Sequence, residues 1–452
     1  MIEKLFKLES NKTNVKTEIL AGVTTFITMS YILAVNPDIL SAAGMDKSAV
    51  LFATAISAFV GCLLMGLLTN YPFALAPGLG LNAYFAYTVC VGMGYSYSFA
   101  LLTVFIEGLI FIILSVTGFR EAMVKSIPQS LKQGISAGIG LFIIFIGLQG
   151  ADIIVQNDST LVSLVDFNTV WSTQGITALL AIVGLLIVCY FSHRQVKGAV
   201  LIGILITWVL GIVCQLTGVL AVGEGTGLAS LIPDFSNFSL GMAGVNFGAC
   251  FDFKGMNFQW MDLVVITFTF LYMDMFDTMG TLIGVSNDSG LLDENGSLPK
   301  AKGAFLSDAI ATSVGAILGT STTTTFVESS SGVAAGGRTG LTAIVTGLLF
   351  LVSVFLYPVF IAIPSFATAP ALLYVGFLML KDITKLDFGS IVDFVPPMLC
   401  VTVMAFAYSI SDGIGIGVIS YVLLSLLTGK GKNVSAMMYI LAAAFLAKYA
   451  LL

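Results

Sequence analysis

The chain has 452 residues, of which 57% are hydrophobic and 10% charged, with a net charge of −6 at neutral pH. A soluble domain carries about 25% charged residues, so this supply cannot clothe a water-facing surface. The composition excludes an ordinary soluble enzyme or nucleic-acid-binding protein and points to an integral membrane protein with no separate soluble domain.

The first stretch, MIEKLFKLESNKTNVKTE, is polar and leads straight into an apolar segment, so no cleavable signal peptide is expected. Apolar segments follow at roughly 19–35, 49–69, 98–117, 131–150, 176–192, 198–222, 261–285, 303–318, 341–360, 367–381, 391–409 and 412–428. Two more, 72–90 and 320–340, are studded with Gly, Pro, Ser or Thr; counted as irregular spans they bring the total to about fourteen. With the N-terminus in the cytoplasm, all but three of the 19 Lys and Arg residues fall on the cytoplasmic side, the exceptions being Lys47, Lys254 and Lys448. The loop 151–175 has Asp152, Asp158 and Asp166 and no Lys or Arg, as an external loop can. The six cysteines are scattered with no C-x-x-C pair, so neither disulfides nor a metal site is indicated, and they read as small buried residues. The tail 429–452 is expected to lie on the cytoplasmic side or along the interface, because Lys448 is awkward to translocate.

The chain repeats itself. AISAFVGCLL at 55–64 matches AIATSVGAIL at 309–318, and the same offset, extended without gaps, pairs Gly78 with Gly332. An odd number of spans in each half makes the copies inverted, 1–222 and 261–428, joined by an external segment 223–260. Interrupted segments at matching places in two halves point to a transporter's binding site. In TSTTTTFVE, 320–328, the β-branched residues favour a short extended piece, with a half-helix starting near Ser329–Ser331. In 72–84, Pro72 and Pro77 prevent a continuous helix and GLGLN opens a second half-helix at Gly78. Both would bring free backbone N–H groups, Glu328 and Asn82 to one place inside the membrane, where irregular backbone survives only in a buried or polar site.

Two acids, Asp274 and Asp277, stand three residues apart on one helical face, with Thr278 and Thr281 alongside. Intramembrane acids cost about 2.5–3.5 kcal/mol each and mark ligand or ion pathways, with Asp277 equally suited to a scaffold role. Thr24, Thr25, Thr28 and Ser30 either face the site or bond their own backbone. Asp308 reads as a charge at a helix N-terminus and Asp393 as a residue at a span end.

No nucleotide-binding loop or hydrolase motif is present, so a secondary carrier or a channel remains, and the inverted repeat favours the carrier. Three carboxylates and an Asn suit a ligand that offers N–H donors. Asp274, Glu328 and Asp277 are also the groups able to couple proton binding to substrate binding. An anion carrier or channel would need a cationic site.

The stretches AGVTTFITMSYILAVNP (21–37), ALAPGLGLNAYF (74–85), FDTMGTLIGV (276–285) and TSTTTTFVESSSGVAAGGRTGLTAIVTG (320–347) resemble the AzgA-type purine permeases of the nucleobase–cation symporter-2 family. The resemblance implies an all-α polytopic protein of about fourteen spans in a seven-plus-seven inverted repeat. It implies a core domain near 19–117 and 261–360 and a gate domain near 128–222 and 367–428. It also implies proton-coupled uptake of hypoxanthine, guanine or adenine across the plasma (inner) membrane, with both termini cytoplasmic. Asp274 and Glu328 resemble the acidic purine-binding positions, Asn82 the third-span Asn, and Asp277 the second acid of the eighth span. Gly78, Thr278, Ser329 and Thr28 complete the expected substrate-binding set. No cofactor or metal is expected, the partners being a purine base and the bilayer, with a homodimer left open. A uracil or xanthine carrier is the nearest alternative.

Overall fold

Apolar segments become helices that begin and end where the sequence supplies caps. Asn14 Oδ1 accepts from the Thr17 amide at 3.0 Å to start α1, Val15–Met29. Asp46 Oδ1 accepts from the Ala49 amide at 2.9 Å to start α3, Lys47–Thr69, and Asn70 ends it with φ 61° in the left-handed region. Between them lies α2, Ile32–Ser41; α1 and α2 form one crossing, longer than the expected 19–35 and broken at Ser30–Tyr31.

The computed structural model describes the chain except residues 1, 118–127, 224–227, 236–243, 254–255, 257–258, 290, 292–297 and 452. The expected positions of Arg120, Lys125 and Lys254 therefore lie outside the described residues. The first half continues with β1, Leu75–Pro77, and α4, Leu79–Ala83, which runs on as a π-helix over Tyr84–Gly92. Then come α5, Tyr97–Thr117, and α6, Gln129–Gly150. The acidic loop holds a small hairpin, β2 Ile154–Asn157 with β3 Leu161–Leu164. Helices α7, Ile176–His193, and α8, Ala199–Leu216, close the half.

The second half starts with α9, Trp260–Ser289, and α10, Ala301–Leu318. It crosses midway through β4, Thr323–Thr325, and α11, Ser329–Ala334, before α12, Gly340–Ser353. Last come α13 Ser365–Leu380, α14 Ile391–Phe406, α15 Ile410–Leu427 and α16 Ala436–Leu451. Among the described residues ten helical segments are long and apolar enough to span a membrane. α9, α14 and the two broken segments make up the rest of the expected set of about fourteen.

Helices α1, α3, α5, α9, α10 and α12 pack on one another, and α6, α7, α8, α13, α14 and α15 form a second group. The two broken segments both join helices of the first group, α3 to α5 and α10 to α12. There β1 and β4 pair antiparallel, Leu75 opposite Thr325 and Pro77 opposite Thr323. Each strand's outer edge needs partners, because unpaired backbone is costly in a low-dielectric interior. Cys62 on α3 supplies them to Leu75, its Sγ accepting from the amide at 3.2 Å and donating to the carbonyl at 3.5 Å. Thr312 on α10 does the same for Thr323, at 3.2 and 2.9 Å. The two halves thus solve one problem with equivalent residues, and Cys62 has a backbone role beyond that of a small buried apolar residue.

One expectation needs correction. Helix α10 is 18 residues long where α3 has 23, and the ungapped offset already fails within these helices, because Cys62 answers to Thr312 and not to Ala316. By position Gly78, the N-cap of α4, corresponds to Glu328, the N-cap of α11, and not to Gly332. Gly332 instead sits inside α11 against α1, where an added Cβ would meet Thr25 Oγ1 and lie 2.9 Å from the Ala21 carbonyl. The tail packs on the bundle. Helix α16 runs back along α15, with Tyr439 Oη donating to the Gly431 carbonyl at 3.0 Å near one end and Tyr449 Oη to Asp412 Oδ1 at 3.1 Å near the other. Sixteen residues rise about 24 Å, and buried Met438, Leu441, Ala442 and Phe445 hold that face to the bundle.

Glu18 carries a load that the sequence did not advertise. Wholly buried on α1, its carboxylate accepts from the amides of Arg338, Thr339 and Thr342 at 2.9, 3.3 and 3.3 Å and from Thr342 Oγ1 at 2.6 Å. It caps α12 and ties the α11–α12 turn to α1. Glu18→Ala strands these donors and is expected to cost about 2–4 kcal/mol, read as a lowered melting temperature in detergent, whereas Glu18→Gln should cost less. An unchanged melting temperature in the Ala variant would remove this role.

Candidate functional site

The strand crossing places the site. Gly78 donates its amide to the Thr322 carbonyl at 3.1 Å, and a Cβ at this position would stand 2.6 Å from Thr324 Cγ2. Only a glycine lets α4 start this close to β4. Ser329 is wholly buried and its Oγ accepts from the Ala74 amide at 3.0 Å, so its hydroxyl locks the ribbon. Asn82 is wholly buried one turn into α4, and its Oδ1 takes a short hydrogen bond from Ser321 Oγ.

Glu328, the residue before α11, is half-buried, and its Oε1 accepts from Tyr31 Oη at 2.7 Å. Tyr31 sits at the break between α1 and α2, so the kink in the first crossing aims a phenol at the acid. Asp277 on α9 is exposed, and its Oδ2 lies 3.4 Å from where a Gly78 Cβ would be. It is within electrostatic reach of both Glu328 and Tyr31. Two carboxylates and a phenol therefore lie within electrostatic reach of one another beside the strand crossing, with Asp277 exposed, Glu328 half-buried and Tyr31 buried. A cavity of about 420 Å³, lined by Ser330, Ser331, Val333, Ala334 and Arg338, opens next to α11. Arg338 Nη1 donates to the Val333 and Gly337 carbonyls at 2.7 Å each, so the basic residue nearest the site is spent on the end of α11.

Asp274 and Thr278 occupy a different layer. Both are wholly buried, with Thr278 Oγ1 at 3.2 Å from Asp274 Oδ1, 2.8 Å from Asp308 Oδ2 and 2.8 Å from Thr324 Oγ1. One turn of α9 separates the exposed Asp277 from the buried Asp274. The expected set is thus split, Glu328, Asp277 and Gly78 at the opening, Asp274, Thr278 and Asn82 behind the strands. Thr28 bonds its own helix, donating towards the Thr24 and Thr25 carbonyls at 3.2 and 2.8 Å, and does not meet these groups. Asp308 is no helix-terminal charge; it lies two turns into α10, fully buried, and joins the Thr278 cluster.

Tyr31 and Glu107 were not foreseen. The YIL of span 1 carries no mark that separates a site tyrosine from a packing one, but Glu107, a lone acid within an apolar segment, had the same signal as Asp274.

At the opposite end of the bundle the two helix groups meet. Asp38 on α2 accepts from Lys47 Nζ at 2.6 Å, from Ser365 Oγ at 2.9 Å and from Thr368 Oγ1 at 3.0 Å, the last two on α13.

A family model described as "Permease family" (Xan_ur_permease) matches residues 16–444. The chain is 42% identical to a guanine/hypoxanthine permease, PbuG, of Bacillus subtilis, over 97% of each chain. It is 39% identical to an adenine permease, AdeP, of Escherichia coli, over 99% of this chain and 96% of that one. Among solved structures, the transmembrane domain of the cyanobacterial bicarbonate transporter BicA superposes with a TM-score of 0.61 at 15% identity, over 90% of this chain and 97% of that one.

Proposed function

The chain belongs to the permease family whose model spans it, and we propose that it is a proton-coupled secondary carrier of purine nucleobases. It is a multi-pass membrane transporter rather than an enzyme, and the relatives named for adenine and for guanine and hypoxanthine support a nucleobase as cargo. The observation that carries the reading is the pair of acids, Glu328 and Asp277, facing one reachable point where two broken helices cross. A purine offers N–H groups at the spacing of a carboxylate's oxygens, and Glu328 accepts two parallel bonds from guanine N1–H and its 2-amino group, or one from hypoxanthine N1–H. Asp277 and the Tyr31 oxygen take remaining donors.

The bundle's other end supports movement of one helix group against the other. Asp38 bridges α2 to α13 at one end of the bundle, and a cavity opens beside α11. Breaking the Asp38 contacts while closing that cavity would be the movement of one group against the other. The likeness to the bicarbonate transporter is one of fold; an anion would meet carboxylates here, and a nucleobase does not suffer that repulsion.

Purified protein in liposomes tests the reading. An inward proton gradient should drive accumulation of labelled hypoxanthine or guanine, abolished by a protonophore, and unlabelled adenine, guanine and hypoxanthine should compete better than uracil or xanthine. Preference for uracil or xanthine would transfer the cargo to the alternative class, and no accumulation of any base would end the proposal.

A further inference from the structure

Glu107 lies midway along α5 and is wholly buried. Its Oε2 accepts from Thr322 Oγ1 at 3.3 Å, while Oε1 has no hydrogen-bond donor within reach. The charged groups that face it are Asp274 from α9 and Asp308 from α10, the helices packed against α5, and its carboxyl meets that of Asp274 at hydrogen-bonding range. Among the described residues the ion pairs are Lys47–Asp38 and Lys385–Asp382, so no cation is paired with this group.

Two carboxyls share a hydrogen bond only when one of them holds a proton. Both ionised, side by side in a low-dielectric interior, they would repel by several kcal/mol, on the order of the cost that makes paired carboxylates titrate as one unit. Hydroxyls border the pair: Thr322 Oγ1 donates to Glu107, and Thr278 Oγ1 lies within hydrogen-bonding distance of Asp274, Asp308 and Thr324.

We infer that Glu107 and Asp274 hold one proton between them and that this buried pair, one layer behind the acids facing the substrate, is the site of the coupling proton. The pair takes one proton from the solution on one side of the membrane and returns it on the other, with no covalent bond made. The strand links it to the substrate: Thr322 touches Glu107, Thr324 touches Thr278, and Glu328 follows the same strand. A base seated on Glu328 therefore bears on the hydroxyls that solvate the pair. Glu107 touches no substrate; it acts through Asp274 and is a positioning and proton-holding residue. The inference rests on the proton-symport reading above.

The test uses full-length protein in liposomes and labelled hypoxanthine. Glu107→Gln keeps a hydrogen-bonding side chain of the same size but cannot release a proton. Counterflow exchange against internal unlabelled hypoxanthine should stay within about threefold of wild type, since charge-neutral isosteres preserve packing. Gradient-driven accumulation should fall to equilibration, and the pH dependence of uptake should flatten. Accumulation at the wild-type level with an unchanged pH profile overturns the assignment. Should the Gln variant fail to fold, Glu107→Asp decides: a displaced pH midpoint with exchange retained supports it, and an unchanged profile overturns it. A wild type that exchanges but never accumulates overturns the symport reading and this assignment with it, whereas accumulation by both wild type and Glu107→Gln overturns the assignment alone.

Discussion

Glu328→Gln is expected to weaken guanine binding by a hundredfold or more and to leave the protein folded. The carboxylate is half-buried, with Oε1 already accepting from Tyr31, so its second oxygen and remaining lone pairs are what a ligand can use. Guanine presents two donors side by side, and each charge-assisted bond is worth about 1.5–3 kcal/mol. A Gln at this position still accepts from Tyr31, so the kink of the first crossing has no reason to move. Its amide, however, turns a donor towards one of the ligand's donors, which removes one bond and adds a repulsion. Hypoxanthine, lacking the 2-amino group, should lose only about tenfold. Calorimetry on detergent-solubilised protein with guanine and hypoxanthine measures both, and equal losses for the two bases would mean that Glu328 does not read the 2-amino edge. Unchanged affinity for both would remove Glu328 from the site.

The parts of this molecule that the sequence made legible are those written locally. Runs of apolar residues set the helices, Thr-rich and Pro-bearing stretches broke two of them, and the half-helix at Ser329 starts where Ser follows the β-branched run. What stayed hidden depends on which face of a helix meets which neighbour. Asp274 and Asp277 look equivalent in the sequence, yet one turn of α9 puts the first among buried hydroxyls and carboxyls and the second at an opening. Asp308 passed for a terminal charge because the neighbour its side chain meets, Thr278 on α9, shows only in the fold. Tyr31 needed the kink between α1 and α2, which tertiary contacts impose. In the fold Cys62 answers to Thr312 and Gly78 to Glu328, four residues short of the offset read from the sequence, so Gly332 was matched where Glu328 belongs. The packing of α16 along α15 also shows only in the fold.

Asp38→Ala is expected to open the end of the bundle that is closed in this structure. Three donors converge on its carboxylate, and two of them, Ser365 and Thr368, belong to the opposing helix group. Their loss removes the direct polar contact between α2 and α13 at this end and leaves Lys47 without its counter-charge. Because the side chain is only partly desolvated, each bond contributes about 0.5–1.5 kcal/mol, and losing the two that cross between groups shifts a two-state equilibrium by roughly tenfold to a hundredfold. Ala42, which lines the cleft beside Asp38, reports the change. In a background where the exposed Cys189 is replaced by Ser, Ala42→Cys should react faster with a membrane-impermeant maleimide once Asp38→Ala is added. Thr368→Val should produce part of the same acceleration, and combining it with Asp38→Ala should add little, because both remove one contact. On the proposed movement of one helix group against the other, a weaker latch also predicts a changed turnover with little change in the intrinsic affinity of the Glu328 site. If the labelling rate in Asp38→Ala equals that of its parent, these bonds are not what holds the end shut, and the closure must come from the apolar packing of α2 against α13.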